Sequence, residues 1–244
     1  MSSNNPFDTV HRTPSAFLCH TPLLTYAQAW SLQQKLAIAC QTNALPDTLL
    51  LCEHPPTYTC GRSTQAYHLP AGTGPLEHQG FAVHHIERGG SVTYHGPGQL
   101  IGYPIVDLRR QGRDVHRHIR RLEQALIQTL AVFGLTADAR PGLTGVWIGP
   151  RKIAAIGIYV RRWITMHGFA LNISLDLEPF TRIRPCGLDS KVVTSMAKLL
   201  STPPAMDQVA AEIAKRMAEL FSWTLQEIPF ETLMQDLDHI ALND

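Results

Sequence analysis

The sequence predicts a single α/β (α+β) domain in which a central mixed β-sheet is surrounded by helices. Three observations lead there. Apolar runs of strand length recur at 49–52, 81–86, 100–106, 146–148, 153–160 and 164–173. The last three follow one another with no helical segment between them, so they require hairpins, which a doubly wound parallel sheet lacks. A capped amphipathic helix sits between the third and fourth runs, and the C-terminal section is helical in pattern.

Taken in order, the first dozen or so residues carry no motif. The opening MSSNNPFDTVHRTPSAF lacks the basic start and apolar core of a secretory signal. No later segment reaches the apolar length needed to cross a bilayer, so no membrane role is expected. Thr25 is placed to cap a helix through Cys40, with Tyr26, Trp30, Leu36, Ala37 and Cys40 at helical spacing. The Pro/Gly-rich LPAGTGPLEHQG at 69–80 reads as a surface loop. Asp114 is a candidate N-cap for a helix whose stripe is Val115, Ile119, Leu122, Leu126, Leu130 and Phe133, ended by Gly134. From Ser190 to about Ile240 the pattern is helical, punctuated by Pro203-Pro204. With 244 residues and no repeat, linker or low-complexity tract, residues 1–244 read as one domain. Its motif-bearing core covers about 20–200, and 201–244 form a helical end.

Net charge is +1, with 17% charged and 44% hydrophobic residues, so no global field draws the chain to nucleic acid. The five cysteines are spread out, odd in number and without a CxxC pair. That argues against a disulfide framework or zinc ribbon and suits the reducing cytoplasm.

The stretch RGGSVTYHGPGQL, 88–100, has the glycines of a ligand-holding loop. It matches neither GxxxxGK[ST] nor GxGxxG, and it runs into a strand rather than the helix N-terminus that a phosphate requires. A tight turn at HGPG accounts for its spacing; a backbone wall that admits a flexible ligand is the functional reading. Cys186, in IRPCGLDS, lies in a turn just before a possible helix cap, where a thiolate is favoured, although most turn cysteines are inert. Cys19, Cys40, Cys52 and Cys60 lie in apolar runs, on a helix face or at a strand end. Lys152 opens an apolar strand after Gly149-Pro150, normally a solvated position. Facing a closed site, its ammonium ~4 Å from a sulfur at an effective dielectric of ~20 would contribute about 4 kcal/mol, near three pKa units. A desolvated Lys152 could instead move protons. His95 and His167 are the histidines placed near these strings; no HExxH occurs, and no metal or other cofactor is expected. Residues 109–121, RRQGRDVHRHIRR, carry six arginines against the single acid Asp114. They form either a solvated helix face or a docking surface for an acidic partner protein.

EHPPTYTCGR (53–62), RGGSVTYHGPGQLIGYPIVDL (88–108), GVWIGPRKIAAIGIYV (145–160), HGFALNI (167–173) and FTRIRPCG (180–187) together resemble the lipoyl(octanoyl) transferase family, the octanoyl-carrier-protein:protein N-octanoyltransferases or lipoate-protein ligase B type. The blocks occur in the family's order; Ser91 stands where the family has glutamine. The resemblance implies the fold of biotin and lipoate ligase catalytic domains. It implies transfer of octanoyl from acyl carrier protein to the target lysine of lipoyl domains, those of 2-oxoacid dehydrogenase complexes and the glycine cleavage H protein. By match to the motifs, Cys186 is the acyl-thioester nucleophile and Lys152 the residue that lowers its pKa. Arg88, Gly89, Gly90, Ser91, Val92, Thr93, Tyr94 and His95 match substrate-contacting positions. So do Ala155, Ile156 and Gly157, and Gly168, Phe169 and Ala170. The thioester donor needs no ATP. An ATP-dependent lipoate or biotin ligase on the same fold, and a non-catalytic binder of carrier or lipoyl proteins, are the alternatives.

Overall fold

The computed structural model describes residues 15–184 and 192–241. In chain order the elements are β1 (Ser15–Leu23), α1 (Tyr26–Gln41), β2 (Asp47–Glu53), β3 (Thr57–Cys60), α2 (Gly74–His78), β4 (Ala82–His85), β5 (Val92–His95) and β6 (Gln99–Ile105). They continue with α3 (Val115–Val132), β7 (Asp138–Arg140), β8 (Leu143–Ile148), β9 (Arg151–Arg161), β10 (Ile164–Asn172), α4 (Met196–Leu199), α5 (Met206–Phe221), β11 (Thr224–Glu227) and α6 (Phe230–Ala241).

The strands form a mixed eight-stranded sheet, order β11-β1-β2-β6-β10-β9-β8-β7, and a three-stranded sheet, β4-β3-β5. β1 is parallel to β2 and β11, while β6, β10, β9 and β8 follow as antiparallel neighbours. The expected mixed sheet with hairpins is therefore what the chain builds. Both faces of its centre are covered, which is why β2 reads as an unbroken apolar run rather than an alternation. Leu49 and Leu51 pack with Leu122, Leu126 and Leu130 of α3 and Ile213 and Met217 of α5. Leu50 and Cys52 turn the other way, onto Leu32 and Leu36 of α1 and Leu233 and Leu237 of α6.

The cap residues set the helix starts. The Thr25 side chain accepts from the Gln28 N–H while the Gln28 side chain accepts from the Thr25 N–H, a reciprocal capping box. Asp114 caps α3 by accepting from Arg117 N–H at 2.9 Å. The 69–80 stretch differs from a plain loop: it contains α2, whose Leu76 is buried. Residues 92–95 form β5, the turn expected at HGPG follows it with Gln99 N–H donating to the Gly96 carbonyl at 3.2 Å, and the C-terminal section adds β11 to the edge beside β1. No helix among the described residues is long and apolar enough to cross a membrane.

The arginine-rich stretch is less available than its charge count suggests. Arg109 and Arg110 both bind the buried Asp107 carboxylate, at 2.8 and 3.1 Å, and Arg120 binds Glu123 at 2.7 Å. Arg121 bonds Gln111 and lies over the Phe221 ring. Most of this charge braces the helix layer.

Candidate active site

The main sheet comes apart at one seam. β8 pairs with β9 only as far as Val146↔Ala154, although both strands continue. The divergence falls at Gly145, whose φ of 124° is a conformation that only glycine adopts readily. The buried Glu123 of α3 pins it there, accepting from Gly145 N–H at 3.1 Å. Beyond the seam the backbone N–H of Gly89 stands where the next strand would be, donating to the Ile158 carbonyl at 2.9 Å. A cavity of about 530 Å³ opens between them.

Lys152 lies at one lip of this cavity. Its ammonium donates to the Thr144 carbonyl at 2.9 Å and sits 4.9 Å from the centre of the Trp147 ring. The absent side chain of Gly145 makes room for it: a methyl there would lie 3.2 Å from Lys152 Cε. The Lys152 carbonyl accepts from Thr194 N–H, and Val192 and Val193 line the cavity beside it.

The glycine loop forms the opposite wall. Arg88 is nearly buried and spends its guanidinium inward, donating to the Thr59 carbonyl at 2.7 Å and Thr59 Oγ1 at 2.8 Å. It braces the loop rather than presenting a solvated charge. Gly61 and Gly157 allow the backbones to meet, since a methyl on Gly61 would come 2.5 Å from the Gly90 carbonyl. Ser91 is buried and bonds His68 Nδ1 at 2.7 Å. Because Gln65 N–H also donates to that nitrogen, His68 carries its proton on Nε2 and the Ser91 hydroxyl is the donor.

A hydrogen-bonded chain runs along the inner wall. Thr59 Oγ1 meets His95 Nε2 at 3.2 Å, His95 Nδ1 meets Gln99 Oε1 at 2.8 Å, and Gln99 Nε2 donates to Asn172 Oδ1 at 2.8 Å. Asn172 ends it by donating to the Thr194 carbonyl. Gln99 Oε1 can only accept, so Nδ1 of His95 bears the proton and Nε2 accepts from Thr59. Burial pushes the His95 pKa down to about 3 and that of His54 down to about 4, so both rings are neutral.

Of the residues expected at the site, Lys152, Arg88 to Thr93, His95, Ala155 to Gly157 and Gly168 to Ala170 all line this one cavity. Tyr94 does not. Alternation along β5 turns it away, onto Tyr58, Phe81 and Phe180. Cys186 lies outside the described residues; Phe180 before it and Val192 after it both line the cavity. The other four cysteines are buried and free. Burial raises the Cys19 thiol to about 11 and the Cys40 thiol to about 12, and raises Cys52 and Cys60 as well, so none is a ready thiolate. Tyr26, Gln99, Tyr103, Ile119 and Asn172 also line the cavity. Tyr26 and Ile119 read in the sequence only as members of helical stripes.

Known proteins resemble this chain in sequence and in fold. Residues 25–218 match the family model described as the lipoyl protein ligase A/B catalytic domain. An octanoyltransferase from Solibacter usitatus is 48% identical over 202 residues, covering 83% of this chain and 91% of its own. Among solved structures, a lipoate-protein ligase A bound with ATP superposes with a TM-score of 0.69 at 16% identity, covering 93% of each chain. An apo biotin protein ligase from Aquifex aeolicus gives a TM-score of 0.50 at 9% identity, over 92% of this chain and 74% of that one. The last two are similarities of fold.

Proposed function

The chain belongs to the lipoyl protein ligase A/B catalytic domain family, and from that premise we propose that it moves octanoyl from acyl carrier protein to lipoyl-domain lysines through a thioester on Cys186. The coarser statement needs no proposal: the chain is an acyltransferase of the octanoyltransferase kind, acting in protein lipoylation. The observation that carries the finer reading is the seam, where Lys152 sits at the lip of a largely apolar cavity walled by glycine backbone.

The Cys186 thiolate attacks the carbonyl carbon of the donor thioester. The tetrahedral intermediate expels the carrier thiolate, which takes up the proton lost by Cys186. One thioester replaces another, so the step is close to neutral in energy and no ATP is consumed. The carrier departs and a lipoyl domain brings its lysine as the free amine. The amine attacks the acyl-enzyme, the C–S bond breaks, and the amine's extra proton passes to the leaving sulfur. Lys152 serves both halves, stabilising the thiolate as an ammonium or relaying the proton. His95 is neutral and bonded on both nitrogens, and its place is the wall. The acceptors are lipoyl domains of 2-oxoacid dehydrogenase complexes and the glycine cleavage H protein, and the setting is the cytoplasm.

The test is to incubate the protein with octanoyl carrier protein and weigh it. An octanoyl adduct, labile to hydroxylamine and absent in Cys186→Ala, is expected. Full transfer by Cys186→Ala would sink the mechanism.

A further inference from the structure

β10 stops pairing with β9 one residue before its own end. Leu171 lies opposite Ala154, and then the chain turns off, with the N–H groups of Ile173 and Ser174 both donating to the Gly98 carbonyl. The opening of β9, where Lys152 sits, thus loses β10 as a neighbour. Segment 192–194 takes its place. Val193 bridges Lys152 in parallel, and Thr194 N–H donates to the Lys152 carbonyl at 3.0 Å. On its other edge Lys152 meets Trp147 of β8, one rung from the seam.

Asn172, the last residue of β10, ties the substitute strand to the strand it replaces. Alternation places it on the face of Ala170, and both line the cavity. The break in that alternation lies upstream, at His167, whose φ of 57° turns its ring onto Trp30 of α1. Asn172 is buried. Its Nδ2 donates to the Thr194 carbonyl at 2.9 Å, and across the sheet it is paired with Gln99 of β6.

Neither amide can turn over. The Thr194 carbonyl only accepts, so the Asn172 NH2 must face it. The Tyr94 carbonyl, 3.3 Å from Gln99 Nε2, likewise only accepts, which leaves the Gln99 oxygen to His95 and its NH2 to Asn172 Oδ1. Every donor in the row therefore points the same way: Arg88 to Thr59, Thr59 to His95, His95 to Gln99, Gln99 to Asn172, Asn172 to Thr194. A buried row with each link made is rigid, and its members polarise one another in one sense. It starts at the arginine of the glycine loop and ends on the residue whose N–H holds the Lys152 carbonyl.

We infer that Asn172 is a positioning residue for Lys152: by holding Thr194 against the opening of β9, it keeps the lysine's backbone fixed and its ammonium at the lip of the cavity. This deepens the octanoyl-transfer reading and rests on it. The effect runs through distance. At an effective dielectric of ~20, the attraction between ammonium and thiolate falls by about a third when ~4 Å becomes ~6 Å, which is about one pKa unit.

The test is the pH dependence of Cys186 alkylation by iodoacetamide, read by peptide mass, in the parent, Asn172→Leu, Lys152→Met and the double variant. Leucine keeps the size of asparagine and removes its bonds to Gln99 and Thr194. The midpoint should rise by about one pH unit in Asn172→Leu, with the plateau at high pH within about twofold of the parent's. Acylation by octanoyl carrier protein should show the same shift. In the Lys152→Met background Asn172→Leu should add nothing, because no ammonium is left to misplace. General loosening of the fold does not produce that dependence on Lys152. An unchanged midpoint in folded Asn172→Leu overturns the inference, and so does an equal shift in the Lys152→Met background. Should Asn172→Leu not fold, Asn172→Ser, whose hydroxyl ends one bond short of Thr194, decides on the same criteria. A parent that forms no octanoyl adduct on Cys186 refutes the octanoyl reading instead.

Discussion

Gly157 and Gly89 meet backbone to backbone: a methyl group on Gly157 would lie 2.9 Å from the Gly89 carbonyl oxygen and 3.1 Å from Arg88 Cδ. Neither neighbour can give way, because Gly89 is bonded to Ile158 and Arg88 to Thr59. Gly157→Ala should therefore push the glycine loop off β9, destabilising the fold by about 1–3 kcal/mol. Acyl transfer should fall at least tenfold. Thermal melts and adduct formation measure the two effects.

Lys152→Met keeps the length of the side chain and removes its charge. On the proposed reading, acylation by octanoyl carrier protein should slow by roughly 30-fold at pH 7, since a thiol that loses about three pKa units of assistance returns to ~8.5 and is only a few per cent thiolate. The deficit should shrink as pH rises toward ~8.5, where an unassisted thiol ionises by itself. A rate–pH profile matching the parent's would remove Lys152 from this role.

Glu123 gives a test of the seam at a residue outside the cavity lining. Glu123→Gln keeps an acceptor for Gly145 N–H, whereas Glu123→Ala leaves that N–H and the Arg120 guanidinium without their partner. The alanine variant should lose about 1–3 kcal/mol and most of its transfer rate; the glutamine variant should retain far more of both. Equal rates in the two variants would show that Gly145 needs no anchor.

His118 of α3 is buried with neither ring nitrogen hydrogen-bonded, packed edge-on to Phe221. Burial pushes its pKa down to about 3, below the unfolded 6.5. The unfolded state therefore binds the proton first. Stability from this group is complete above pH 6.5 and is lost progressively as pH falls toward 3, at about 1.4 kcal/mol per pH unit. His118→Leu should be at least as stable as the parent at pH 7 and gain on it by about 1 kcal/mol by pH 5.5. Denaturant midpoints at the two pH values decide it.

The elements with local signals were legible in the sequence. α1 and α3 announce themselves through Thr25, Asp114 and their stripes, and β2, β6, β9 and β10 through apolar runs. β5 was hidden because VTYH sits among glycines, and the inner strand β1 and the short edge strand β11 because neither shows a regular alternation. The site divides in the same way. Lys152 and the glycine loop could be found by residue type and resemblance. The facing of His167 could not, because a single positive φ reverses a strand's alternation and leaves no mark on the pattern of residue types. Nor could the role of Glu123, which reads as one more charge on a polar helix until Gly145 is seen beside it.

The short connection at Gly149-Pro150 acquires a meaning from the parting of β8 and β9. Side chains change face with every residue of a strand, so one residue gained or lost there turns Lys152 to the other side of the sheet. Two residues keep the face but slide the ammonium by about 7 Å, more than half an octanoyl chain. Length variation is thus denied to this hairpin. Its residue count acts as a gear tooth, keeping Lys152 in step with the cavity it lines.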